Sequence, residues 1–226
     1  MTGKSASDII LISDPTVRGV AVHECGEPLI DLRGALLVDT RRSDEQGHFA
    51  HTRQGVADRL IKADRALPRG IRLLIVEAYR PPSVQLSIFD GYRRELQRLT
   101  PGLADAEADI LASRYVSPLD VAPHVCGAAI DLTMIDADGN ELDLGCPEAA
   151  TPEESDGACY TEAPNIGDAA RENRVMLGAA LGGAGLVNYP TEWWHWSYGD
   201  RYWAHTTGAA NAIYGPWDDS VGPATT

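Results

Sequence analysis

The run HVCGAAIDLTMIDADGNELDL, residues 124–144, decides the fold because it joins a bend, a buried strand and a hairpin turn. Ala128 to Ile135 is mostly apolar and predicts a strand. Residues 136–140 have the Asp, Gly and Asn content of a turn, and residues 141–144 predict a short return strand. This hairpin indicates an antiparallel sheet at the centre of the fold.

The segments on either side of the hairpin predict helices and further short strands. Ile71 to Ala78 has the length and β-branched content of a buried strand. A mixed order, with helices early and hairpins late, predicts an α+β fold in which helices flank a mostly antiparallel central sheet. The other predicted helices are Thr52–Leu67, Pro81-Pro82 to about Leu99, about 103–114 and about 168–184, and the other strands are Ile9–Ile12, Val20–Val22, Ala35–Val38, Leu186–Tyr189 and Trp193–Ser197.

Length and charge narrow the class of protein. A chain of 226 residues predicts one domain over 1–226, with an irregular segment at 1–50 and a long acidic surface loop at 145–167. A net charge of −14 disfavours a nucleic-acid partner, which needs clustered Lys and Arg. Since no run approaches the ~18 apolar residues of a membrane span, we expect a cytoplasmic protein without membrane partners, and its oligomeric state is not predicted.

Two of the six histidines stand in a setting typical of a metal site. His124 lies seven residues before Asp131, whose carboxylate is flanked by apolar residues and is costly to bury unless it is paired or bound to metal. Gly127 allows a tight bend that brings both side chains to one side of the strand. The remaining histidines are predicted to be structural or exposed: His23, His48, His51 and His205.

The segment Glu192-Trp-Trp-His195 predicts the rest of the metal site. A Glu three residues before a ligand His can reach a metal-bound water, and the tryptophans at 193, 194 and 196 are expected to wall the site. Two His and one carboxylate form a catalytic zinc set with one open position. The predicted site has zinc on His124, Asp131 and His195, with Glu192 as the base.

Arg80 is the candidate electrophilic group. It directly follows the predicted strand, and Pro81 fixes the chain behind it. A guanidinium there is suited to stabilise the oxyanion of a tetrahedral intermediate. The alternative is a surface arginine that pairs with Glu77 or Asp90.

Three motifs in this order resemble the VanX-type D-alanyl-D-alanine dipeptidases: Tyr79-Arg80-Pro81, His124-x-x-Gly127-x-Ala129-x-Asp131 and Glu192-x-Trp194-His195. The similarity extends from about Arg53 to Pro216. It implies the zinc fold shared by hedgehog domains and D,D-peptidases, one zinc ion on the three ligands, Glu192 as general base and acid, and Arg80 on the scissile carbonyl. It also implies hydrolysis of a small dipeptide, D-alanyl-D-alanine, in the cytoplasm. Further candidate substrate contacts are Tyr79, Gln85, Cys126 and Trp194.

Two positions depart from the family pattern. Ala122 stands where the family has a serine two residues before the first ligand. Residues 144–150 lack the family's Phe-Asp, whose Asp grips the substrate amino group. Carboxylates that could take over that contact are Glu148, Glu153, Glu154 and Asp156.

Several alternatives stay open from the sequence. The same zinc chemistry could act on a different small peptide or a biosynthetic intermediate. A non-catalytic zinc-binding relative is disfavoured because a binding module has no need of Glu192 or Arg80. Cys126 is a substrate contact, a thiol that coordinates the zinc or inhibits, or a small buried hydrophobe. Cys146 and Cys159 are free thiols in a reducing compartment or a pair in an exported protein.

Overall fold

The computed structural model describes residues 9–217, and its centre is a five-stranded sheet. The strand order is β2-β4-β5-β7-β6, in which β2 pairs parallel with β4 and all other neighbours are antiparallel. A separate antiparallel pair joins β1 and β3. The predicted mostly antiparallel central sheet is therefore confirmed. The strands are β1 (Leu29–Asp31), β2 (Leu37–Val38), β3 (His51–Arg53), β4 (Arg72–Glu77), β5 (Ala129–Ile135), β6 (Val187–Asn188) and β7 (His195–Ser197).

Helices flank this sheet, as the sequence predicts. Two of them, α2 and α5, contact each other and bury Leu60 and Leu177 in the same apolar cluster as Leu132 of β5. Burial of these side chains supplies the main hydrophobic stabilisation of the fold. The helices are α1 (Pro15–Arg18), α2 (Gln54–Ala66), α3 (Pro82–Leu99), α4 (Asp105–Ala112), α5 (Asp168–Gly183) and α6 (Arg201–Thr207).

Strand β5 separates the apolar core from the polar site. Ile130, Leu132 and Met134 belong to the apolar cluster. Successive side chains of a strand point to opposite faces, so Asp131 faces away from that cluster. Its cross-strand partners are Glu77 of β4 and His195 of β7. The sheet register therefore gathers three polar side chains at one place.

Several short strands differ from the sequence prediction. Residues Ile9–Ile12 do not form a strand. The apolar side chain of Ile12 is instead buried in a small cluster with Tyr189. The predicted strand Ala35–Val38 shrinks to its last two residues. The other two corrections are that Val22 makes an isolated bridge with Ala212, and that the return strand 141–144 reduces to one bridge between Glu141 and Ile135.

The segment 145–167 forms no helix or strand, and it contains both exposed residues and residues that pack against the rest of the fold. The buried guanidinium of Arg174 in α5 donates hydrogen bonds to the carbonyls of Leu144 (2.8 Å), Ala158 (2.7 Å), Tyr160 (2.6 Å) and Thr161 (3.2 Å). Buried polar groups of native proteins are almost always paired in this way. Arg174 therefore fixes the path of the loop from below.

Gly127 ends the 3-10 turn Pro123–Cys126 with φ at +64°, in the left-handed region. A Cβ there would lie 2.5 Å from the Leu29 Cδ2. Gly127→Ala is therefore expected to lower the free energy of unfolding by roughly 1–3 kcal/mol, measured by denaturant titration of the zinc-loaded protein. Gly139→Ala is the matched control, since φ is also positive (+85°) but nothing lies within 4 Å. Equal losses for both variants would contradict the clash argument.

No helix within residues 9–217 has the length and apolar character needed to cross a membrane. The description of residues 1–226 as one zinc peptidase domain stays a prediction, and residues 1–8 of the irregular N-terminal segment lie outside the described part of the chain.

Candidate metal and catalytic centre

The three predicted zinc ligands meet in one buried cluster. His124 comes from the 3-10 turn before β5, Asp131 from β5 and His195 from the neighbouring β7. His124 Nε2 lies 3.2 Å from His195 Nδ1, His195 Nδ1 lies 3.1 Å from Asp131 Oδ1, and His124 Nε2 lies 3.3 Å from Asp131 Oδ1. Within residues 9–217 no second group of three such donors comes as close together.

This triangle fits a tetrahedral zinc ion. Zinc–ligand bonds of about 2.0–2.1 Å place neighbouring ligand atoms of a tetrahedron about 3.3 Å apart, which matches the three distances. His124 Nδ1 is 2.7 Å from the Ala78 carbonyl, so it donates there and leaves the Nε2 lone pair free for a metal. Two imidazole nitrogens and a carboxylate oxygen that face one another at these distances are donors of the kinds that zinc prefers. The donor set therefore fits a zinc ion, and a tetrahedral ion would keep one position for a further ligand.

The protonation of the cluster suits a metal. Burial alone would raise the pKa of Asp131, but His124 and His195 outweigh it and hold that pKa well below its usual range. Burial lowers the pKa of His195. Metals bind carboxylate and neutral imidazole, so these shifts favour the ligating forms.

Glu192 lies beside the ligands, with Oε2 3.7 Å from His195 Nδ1. Its side chain is buried. Burial, and then the negative charge of Asp131, raises the pKa of Glu192 well above its usual value. A raised pKa makes this carboxylate a stronger base than an ordinary glutamate, as general base catalysis requires.

Arg80 is locked in place at the same site. Its guanidinium donates to both carboxylate oxygens of Glu77 (2.8 and 2.6 Å) and to the Gln85 Oε1 (2.8 Å). Its Nη2 lies 3.8 Å from Asp131 Oδ2. The side chain does pair with Glu77, as the surface alternative supposed, but it is only 12% exposed, so Arg80 is a buried group aimed at the cluster.

These groups line one cleft of about 580 Å³, including the part open to solvent. Of the predicted substrate contacts, Gln85 and Trp194 lie in its wall, whereas Tyr79 and Cys126 do not. Gln85 donates from Nε2 to the Ser117 carbonyl (2.6 Å) and so holds Arg80 in position. The prediction that three tryptophans wall the site is wrong for two of them. Trp193 and Trp196 do not line the cleft and lie in the apolar core.

Glu148 is the acidic loop residue that enters the cleft. Its side chain is 4% exposed, and Oε1 lies 3.5 Å from the Arg42 guanidinium. The next residue, Ala149, has φ at +62°, and its carbonyl accepts a hydrogen bond from the Tyr115 hydroxyl. A strained residue held this way often marks a functional segment. Burial and nearby Asp131 raise the pKa of Glu148 to about 7.

The other acids considered for the substrate amino group are used elsewhere. Glu153 accepts from the Tyr92 hydroxyl at 2.7 Å, and Glu154 accepts from Thr151 at 3.0 Å in its own turn. Neither they nor Asp156 line the cleft. Glu148 is therefore the candidate that the geometry brings to the cluster.

Sequence patterns did not indicate three further residues of the cleft wall: Arg42, Tyr115 and Tyr189. Each lies in a loop or turn without periodicity, so only the folded chain brings it to the site.

The remaining histidines and cysteines described by the structure make no second site. His48 Nδ1 lies 3.2 Å from Asp44, and His51 Nδ1 lies 2.7 Å from the Gly47 carbonyl. All four cysteines are free, and Cys146 and Cys159 do not form a disulfide. The thiol of Cys126 lies 3.7 Å from the Ala122 carbonyl, and burial raises its pKa to about 12.

Comparison with known proteins places this centre in a family. The family model described as D-ala-D-ala dipeptidase, Peptidase M15, matches residues 40–211. A D-alanyl-D-alanine dipeptidase of Synechocystis sp. is 31% identical over 215 residues, which cover 82% of this chain and 87% of the relative.

Two solved structures are also similar. VanYB in complex with D-alanine-D-alanine covers 74% of this chain and 82% of its own, with a TM-score of 0.44 and 18% identity. A VanY D,D-pentapeptidase from a VanB-type resistance cassette, in complex with Zn(II), covers 87% of this chain and 96% of its own, with a TM-score of 0.38 and 17% identity. The family match and the Synechocystis relative, together with a donor set that fits zinc, show that this chain belongs to the D-ala-D-ala dipeptidase family of zinc metallopeptidases.

Proposed function

We propose that this chain hydrolyses free D-alanyl-D-alanine to two alanines, with zinc held by His124, Asp131 and His195. Membership of the dipeptidase family supports the reaction class. The residue roles are supported by the close approach of the three ligand atoms and by the position of Glu192 and Arg80 in the wall of the same cleft. The cytoplasmic location expected from the sequence stays a prediction.

Glu192 moves the protons of the reaction in this proposal. Bound zinc supplies a Lewis acid that activates a water and polarises the peptide carbonyl. The Glu192 carboxylate accepts the proton of the attacking water and afterwards donates it to the leaving amine. Its raised pKa supports both roles, because the carboxylate is a stronger base than an ordinary glutamate and its protonated form can still donate to a basic leaving amine.

Arg80 stabilises the negative charge that develops on the carbonyl oxygen. Glu77 and Gln85 hold its guanidinium in a fixed orientation before substrate arrives. Donors that are already oriented need no reorganisation in the transition state, so they are worth more than flexible ones. This preorganisation supports Arg80 as an electrophilic group.

Glu148 binds the substrate ammonium in this proposal. The cleft wall contains four acids, of which Asp131 is a ligand, Glu192 is the base and Glu77 holds Arg80. Glu148 is left, and its buried carboxylate can accept charge-assisted hydrogen bonds from an ammonium group. It takes the place of the aspartate that the family carries in its Phe-Asp.

Glu148→Gln is expected to raise KM for D-alanyl-D-alanine roughly 10-fold or more with little change in kcat, because the carboxylate acts on the bound substrate's amino end. The wild-type KM should rise as pH falls, since only the ionised form above the pKa of about 7 binds the ammonium. The positive charge of bound zinc would shift this rise in KM to lower pH. The Glu148→Gln variant should not show the rise, because it has no carboxylate at this position. Steady-state kinetics from pH 5 to 9 measure both effects, and an unchanged KM in Glu148→Gln would contradict the assignment.

The experiment that tests the proposed function is a substrate screen of the zinc-loaded enzyme. D-alanyl-D-alanine is compared with the L,L- and L,D-isomers, with N-acetylated D-alanyl-D-alanine and with a tripeptide. We expect the highest kcat/KM for free D-alanyl-D-alanine. A stronger preference for another small peptide would support the alternative substrate, which Ala122 in the cleft wall leaves open. No hydrolysis across the panel, with zinc bound, would support a non-catalytic relative.

A further inference from the structure

We infer that Arg42 is the binding site for the C-terminal carboxylate of the substrate, an inference that rests on the proposed dipeptide function. Arg42 lies in the wall of the same cleft as Glu192 and Arg80. No sequence motif marks it, and it belongs to the segment that follows the short strand β2.

The charges of the cleft show why a second cation is needed there. Its wall contains the acids Glu77, Asp131, Glu148 and Glu192 and the cations Arg42 and Arg80. Glu77 is paired with Arg80, and zinc would neutralise Asp131, but Glu148 and Glu192 remain, so a substrate carboxylate in this cleft needs a positive partner. Arg80 donates three of its five N–H groups to Glu77 and Gln85, and the proposed function assigns its remaining donors to the carbonyl oxygen. Arg42 is therefore the guanidinium left for the substrate carboxylate.

The setting of Arg42 differs from that of its neighbour in the chain. Arg41 forms ion pairs with Asp39 (2.7 Å) and Glu141 outside the cleft. Arg42 instead approaches Glu148 at 3.5 Å, which is longer than a good charge-assisted hydrogen bond, and its side chain is 41% exposed. This long, half-solvated pair can be exchanged for better partners at low cost.

The Arg42–Glu148 pair presents two opposite charges side by side, and a free dipeptide has the same two charges at its ends. On binding, the substrate ammonium pairs with Glu148 and the substrate carboxylate pairs with Arg42, so one long ion pair is replaced by two. A ligand that lacks its carboxylate leaves Arg42 without this gain. The arrangement therefore selects free dipeptides over amidated ones.

The test measures binding without turnover. Calorimetry compares D-alanyl-D-alanine with D-alanyl-D-alaninamide in zinc-loaded Glu192→Gln protein, and then in the same protein with Arg42→Met. We expect the parent to prefer the free acid about 10-fold or more, and Arg42→Met to lose that preference by weakening the acid while the amide is unchanged. Arg41→Met removes the same charge from the same segment but lies outside the cleft wall, so it should keep the preference.

Three results would overturn the inference. They are an equal loss for acid and amide in Arg42→Met, an undiminished preference in Arg42→Met, or no preference in the parent. Because the assay measures affinity alone, its failure is distinct from failure of the proposed function. An Arg42-dependent preference in a protein whose wild type hydrolyses nothing would leave the carboxylate site standing and overturn the catalytic proposal.

Discussion

Glu192→Gln is expected to lower kcat for D-alanyl-D-alanine by roughly 10²–10⁴-fold while zinc content stays near one ion per chain. The amide keeps the size and most contacts of the buried side chain but can no longer accept a proton from water. Because Glu192 is not among the three converging ligand atoms, the metal should remain bound. Steady-state kinetics and elemental analysis of the same preparation measure the two effects together.

The control for this prediction is Glu107→Gln. Glu107 is an exposed residue of α4 that does not line the cleft, so its replacement removes the same charge outside the cleft wall. We expect wild-type kinetics from it. Turnover within a few-fold of wild type in Glu192→Gln would show that another group is the base.

Removing zinc with a chelator is expected to abolish turnover and to lower the Tm, and adding zinc back should restore both. A ligand that binds only the folded protein at 1,000 times its Kd stabilises it by about 4 kcal/mol. Zinc is expected to bind only the folded protein, because only folding brings the three donor atoms to within 3.1–3.3 Å of one another. Removing zinc therefore removes this stabilisation. Differential scanning calorimetry with and without zinc measures the change in Tm, and an activity assay of the same samples measures turnover.

Asp131→Asn sharpens the zinc prediction because it keeps the shape of the ligand but removes its charge. We expect loss of most bound zinc and a Tm that no longer responds to added zinc. His23→Ala is the control, since His23 is exposed and lies outside the cluster. Full zinc content in Asp131→Asn would mean that the ion is held elsewhere.

Long elements with strong local signals were predictable from the sequence. Helix α3 begins at Pro82 and ends at Leu99, as predicted, and β5 begins one residue after its predicted start. Proline at a first turn and a continuous apolar run are local signals that tertiary contacts rarely override. The strands β1 and β3 have three residues each and form by pairing distant segments, so local sequence does not reveal them.

The metal cluster was predictable for a related reason, and the substrate wall was not. His124 and Asp131 share one segment, and Glu192 and His195 share another, so only one long-range contact had to be supplied. Arg42 reaches the cleft from a separate loop through the tertiary fold, as Glu148 does from the acidic loop. The prediction that Trp193 and Trp196 line the site was wrong because composition does not show which side chains of a Trp-rich run face the core.

The hydrogen bonds of Arg174 have a consequence for how this enzyme could diverge. All four run to main-chain oxygens, which every amino acid possesses, so this attachment does not depend on the side chains at 144, 158, 160 and 161. The side chains at these four positions can therefore change while the loop stays attached to α5. This loop is therefore a suitable segment in which to engineer a different substrate specificity without changing the fold.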